Sequence, residues 1–159
     1  MRTVKFRGKD VKTSHWVYGA YHEHIDITPA ALYKDAESRE NPIKAHTHYL
    51  IMKDAFSDYC MPRNIQCFDV TSETVGQFTG LCDCNGKEIF EGDILKWEKD
   101  GLMYVVKFWH GMFYASVKEC NKDILGGFPL HALTEYEDWG CEIVGNIHDN
   151  TELLKGGEK

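Results

Sequence analysis

The 159 residues carry 43% hydrophobic and 13% aromatic side chains with only four prolines, a balance that excludes disordered and fibrous classes. Surface scaling buries roughly 69% of a chain this size, enough for a core without staples; six irregularly spaced cysteines do not make a disulfide scaffold. The net charge of −7 is uneven: residues 1–70 hold ten Lys/Arg against nine Asp/Glu and residues 71–159 eight against sixteen, or +1 and −8, the reverse of a duplex-binding basic face.

In chain order, Val4 and Phe6 alternate with Lys5 and Arg7 as a first strand, and Gly8 to Asp10 read as a turn. Trp16 to Tyr18 resume a β-rich run that continues through Gly19 to Ile27. Residues 28–44 have no sustained period and read as a flexible insertion. His46 to Met52 is β-like, 55–62 is irregular, and Ile65 to Val70 leads into the second half. There, Asn85-Gly86, Asp100-Gly101 and His110-Gly111 signal two-residue turns of the I′ kind. The runs Glu88 to Glu98, Leu102 to Trp109 and Met112 to Lys118 predict a consecutive antiparallel meander, with Phe113, Ala115 and Val117 on one face. Leu102 to Val106 is apolar on both faces, as inside a sheet. Leu130, Leu133 and Tyr136 predict one short helix, and Cys141 to Ile147 a final strand. Asp149 and Glu152 suggest a capping box for a terminal turn bearing Leu153 and Leu154. The expected fold is mainly β: an N-terminal strand-rich lobe, 1–70, and a small SH3-like barrel, 71–159, with one or two short helices.

Three blocks carry a family resemblance. RTVKFRGKD at Arg2–Asp10 with WVYG at Trp16–Gly19, ETVGQFTGLCDCNGKEIFEGDIL at Glu73–Leu95, and EIVGNIHDNTELL at Glu142–Leu154 resemble, in order, YopX-like proteins of bacteriophages and prophages. The resemblance implies phage or prophage origin, a mainly β fold and oligomerisation, and it supplies no catalytic residues. Cys82 and Cys84 depart from the family pattern, which has charged or polar residues there. Within the 73–95 segment, Gly76, Gly80, Gly86 and Gly92 fall where a small barrel bends, and Asp93 fixes the start of a strand by bonding nearby amides. A phosphate loop would need a Lys-Ser/Thr pair opening a helix, which the segment lacks.

His22 and His24, and His46 and His48, are spaced i, i+2, so each pair shares a face of a strand. With Cys82 and Cys84 they are the candidate ligands of a mixed nitrogen and sulfur zinc site, against the plainer reading of surface imidazoles. Cys60, Cys67, Cys120 and Cys141 sit among apolar residues and read as small core groups. No GxSxG elbow or catalytic cysteine signature occurs, so neither an enzyme nor a cofactor is expected. The basic residues Arg2, Lys5, Arg7, Lys9 and Lys12 read as the solvated side of the first strand. Aromatic residues crowd the meander beyond what one small barrel holds, which makes Trp97, Trp109 and Tyr114 candidates for an interaction surface. The leading expectation is a non-catalytic accessory protein that binds a phage or host protein and forms a homo-oligomer. A nucleic-acid module using the basic N-terminal strand is the alternative, and a metal-dependent enzyme the third. No apolar run approaches the roughly 18 residues of a membrane span and MRTVKFRGKD lacks a signal peptide's apolar segment; a cytoplasmic protein with reduced thiols and no membrane partner is expected.

Overall fold

A computed structural model describes residues 4–27, 45–55, 64–98, 101–117, 127–135 and 140–155. The insertion near 28–44, the 56–62 stretch, Cys60, Asp100, Cys120 and Tyr136 lie outside the described residues. The chain is mainly β, built of antiparallel strands. It divides into two compact units, Lys5–Val75 and Gly76–Lys159, the latter joined by Met1–Val4. Residues 71–75 stay with the first unit because backbone bonds hold them there: the Thr71 amide donates to the Lys9 carbonyl, and the Lys9 amide to Thr74 Oγ1.

The first unit is a sheet of β1 (Phe6–Lys9), β2 (Trp16–Ile27), β3 (Ala45–Ala55) and β4 (Asn64–Asp69), in the order β4-β3-β2-β1. The β-rich run expected from Trp16 through Ile27 is one strand. Gly8 is strand and not turn, because it lies flat against Val70: a Cβ there would stand 2.9 Å from Val70 Cβ. The turn falls one step later, where the Asp10 carboxylate accepts the Lys12 and Thr13 amides and the Thr13 hydroxyl. Ile51 and Val70 are buried on the face that Gly8 shares. Cys67, read as a core group, is exposed on the opposite face. Among the described residues, from His24↔His48 out to Ile27↔Ala45 β2 and β3 pair only with each other, since β1 reaches Gly19 and β4 Leu50.

The second unit begins with the hairpin β5 (Gly76–Cys82) and β6 (Glu88–Phe90). A five-stranded sheet follows, of β7 (Asp93–Trp97), β8 (Met103–Trp109), β9 (Met112–Val117), β10 (Gly127–Pro129) and β11 (Cys141–Asn146), ordered β10-β9-β8-β7-β11. The expected meander is β7-β8-β9, antiparallel throughout. The expected single strand Glu88 to Glu98 is two strands, because Gly92 at φ +82° turns the chain and Asp93 Oδ2 accepts the Phe90 amide at 2.8 Å. Leu95, Tyr104, Val106, Phe113, Ala115 and Cys141 meet on one face with Ile89 and Leu130 as the core of this unit. Leu130–Glu135 is a 3₁₀ helix and Thr151–Lys155, α1, the one α-helix among the described residues. Ahead of α1, Asn150 Nδ2 donates to Glu152 Oε1 and Asn150 Oδ1 accepts the Asn146 amide, while Asp149 Oδ2 accepts from the Asn146 side chain.

Of the two expected two-residue turns that lie wholly within the described residues, one has the I′ chemistry; Asp100-Gly101 is described only at Gly101, with φ +68°. His110 and Gly111 have φ of 45° and 83°, both positive as a I′ turn requires. At Asn85-Gly86 only the glycine is positive. Asp83 reshapes that turn, its Oδ1 accepting the amides of Asn85 and Lys87 and its carbonyl that of Gly86.

Candidate functional site

In the first unit, strand parity sorts the chemistry-bearing side chains onto the face away from Ile51. Lys5, Arg7 and Lys9 of β1 stand beside Trp16 and Tyr18 of β2, with Lys5 Nζ 5.7 Å from the Tyr18 centroid, the Arg7 guanidinium 4.7 Å from Trp16 and Lys9 Nζ 5.5 Å from Trp16. Arg7 is only 6% exposed. Lys5, Arg7 and Lys9 are therefore cations laid on rings and not a solvated charge run, while Lys12 is exposed and Arg2 lies outside the described residues.

Along the same face of β2 and β3 come the histidines. The register opposes His24 to His48 and Asp26 to His46, with His22 two residues before His24. Both sequence pairs thus reach one exposed face of one ribbon. The His22 and His24 ring centroids are 6.3 Å apart, and those of His24 and His48 6.4 Å. His48 Nδ1 lies 3.3 Å from Asp69 Oδ1, an acidic neighbour that sequence reading missed because it arrives from β4. Among the described residues, no three His, Cys, Asp or Glu side chains already converge on one metal position.

Cys82 and Cys84 belong to the other unit, one at the end of β5 and one in the turn after it. Both are exposed. Partial desolvation, and then the charges of Asp83, Glu142 and Glu98, hold the Cys84 thiol above its usual range, which works against a reactive thiolate. Asp83 itself is buried and ties this turn to β11 by accepting the Ile143 amide at 3.2 Å.

The interaction candidates separate by depth. Trp97 packs inward against the core, its ring 6.1 Å from Phe128 and 6.4 Å from Tyr104. Tyr114 is half-buried opposite Lys107. Trp109 is 50% exposed at the end of the β8–β9 hairpin, where the I′ turn pairs it with Met112, itself 42% exposed. Phe108 adds a ring that is 46% exposed, edge-on to Phe113 at 5.1 Å. Beside this end lies a cleft of about 250 Å³ lined by Thr79, Leu81, Phe108, Met112, Phe113 and Leu130. Phe108 and Met112 were not singled out in the sequence, although the His110-Gly111 signal fixes both cross-strand pairs.

No helix among the described residues is long and apolar enough to cross a membrane. A family model described as YopX protein matches residues 5–155. Among solved structures, protein EF1440 from Enterococcus faecalis is similar at 25% identity and a TM-score of 0.50, over 97% of this chain and 99% of that chain. No curated protein matches the chain.

Proposed function

Because the chain belongs to the YopX family, we propose that it is a phage- or prophage-derived accessory protein that acts by binding protein, a second copy of itself first, and not by catalysis. The observation that carries this reading is the apolar end of the β8–β9 hairpin, where Phe108, Trp109 and Met112 are all exposed. Large exposed apolar groups gathered at one place are the usual mark of a protein contact. The adjoining cleft, at about 250 Å³, is small for a drug-sized ligand and suits a side chain. A half-exposed indole and a recess of mixed lining at the end of one hairpin, with Met112 beside Trp109 and in the recess, form a surface of the kind a twofold dimer uses. On this reading the second unit is a small SH3-like scaffold that displays the hairpin.

Protein is favoured over nucleic acid because Lys5, Arg7 and Lys9 are stacked on Trp16 and Tyr18 and the second half carries −8, which repels a phosphate backbone. The cytoplasm, with its reduced thiols, is the matching compartment. Sedimentation equilibrium of the full chain at micromolar concentration tests the dimer. Mass twice 18.3 kDa is expected, shifting to monomer in Trp109→Ala; a single 18.3 kDa species in the parent chain overturns the proposal.

A further inference from the structure

We propose that His22, His24 and His48 form a site for a divalent transition-metal ion on the exposed face of the β2–β3 ribbon, with Asp69 holding the His48 ring. Two ligands at i, i+2 on one strand point the same way, and the third faces His24 directly across the ladder, where opposed Cβ atoms stand about 4.5–5.5 Å apart. The three imidazoles therefore rise from the corners of a small triangle on one β-ribbon. Three histidines with a fourth position left open make a familiar zinc donor set.

The His48–Asp69 contact is a separate observation that points to a ligand. With Asp69 Oδ1 accepting from Nδ1–H, Nε2 carries the free lone pair, and a carboxylate on the other ring nitrogen is a contact that metal-bound histidines commonly make. Convergence needs only a change of rotamer at exposed rings, and exposure spares the ligands any further desolvation. Nitrogen donors select zinc, nickel or copper over calcium and magnesium. His46 sits one step outward, opposite Asp26, and serves as the neighbour that stays out of the site. Cys82 and Cys84, on the other unit, take no part.

Calorimetric titration of the full chain with Zn²⁺ in a weakly coordinating buffer tests this, with Co²⁺ absorption read in parallel. One ion per chain is expected, with visible cobalt bands and no thiolate-to-cobalt charge transfer in the near ultraviolet. His22→Gln, His24→Gln and His48→Gln each weaken binding at least about tenfold, and Asp69→Asn by about tenfold as a lost supporting contact. His46→Gln stays within about twofold of the parent, which also shows that an imidazole lost from this face is not in itself the cause. No zinc uptake by the parent, full uptake by His24→Gln or His48→Gln, a thiolate band, or a loss in His46→Gln equal to that in His24→Gln overturns the assignment. These substitutions lie on the first unit and the dimer test on the second, so either proposal can fail alone.

Discussion

Asp10 is buried at the end of β1, and its Oδ2 takes the Thr13 hydroxyl at 2.6 Å and the Thr13 amide at 3.2 Å. The Thr13 side-chain bond is the main reason that its carboxyl is held below the ordinary carboxylate range; burial opposes it, and the Lys12 and Thr13 amides and the Lys12 charge assist. A carboxylate whose folded value is depressed contributes stability above its unfolded value of about 3.9, and that contribution is lost as pH falls through the folded value. Thr13→Val removes the largest cause. Its urea midpoint should therefore lie below the parent's at about pH 6 and converge on it at about pH 2; a constant offset at both pH values would place the loss in packing instead. Carboxylates show how far single residues can be read from sequence. Asp93 was legible because its partner, the Phe90 amide, is three residues away. Asp83 was not, because one of its amides, Ile143, comes from 60 residues further along the chain.

Gly19 places two strands closer than any other side chain would permit. A Cβ there would stand 2.0 Å from the Met52 carbonyl oxygen and 2.8 Å from its carbon, both backbone atoms that cannot swing aside. Gly19→Ala should cost about 3 kcal/mol, as overpacking does at the upper end of its range, read as a lower urea midpoint; a change within about 0.5 kcal/mol would mean that β2 and β3 separate freely. Strands themselves were legible where polar and apolar residues alternate or turn residues punctuate them, as from β7 to β9. Glu88 to Glu98 misled because the run is β-like on both sides of Glu91 and Gly92. What divides it is a carboxylate folding back on an amide, a local bond that hydropathy does not register. The shifted first turn failed differently: Gly8 looks like a turn residue in sequence, and only the approach of Val70 explains it as strand.

For the whole molecule the charge of −7 sets the sign of self-association. Two copies repel at low ionic strength, and salt screens that repulsion while leaving apolar burial intact. With Lys5, Arg7 and Lys9 held on aromatic rings, the hairpin end carries the contact. The dimer should accordingly tighten as salt rises from about 0.05 to about 0.5 M. Weakening over that range, measured by sedimentation, would mean that ion pairs hold it. The sequence disclosed both histidine pairs but not their meeting. That depends on the register of β2 against β3 across the intervening residues 28–44, which no local pattern specifies.

The outer β2–β3 ribbon ends inward at a stop. Among the described residues, outside His24 and His48 each strand has only the other as neighbour, whereas at Gly19 and Met52 the backbones are in near contact and Ile51 is fully buried. The ribbon can thus unzip from its tip as a separate cooperative unit of low opening energy, leaving the sheet beneath it closed. An ion joining His24 to His48 would act as a rivet at the base of that zipper, stopping its opening before it reaches the sheet beneath.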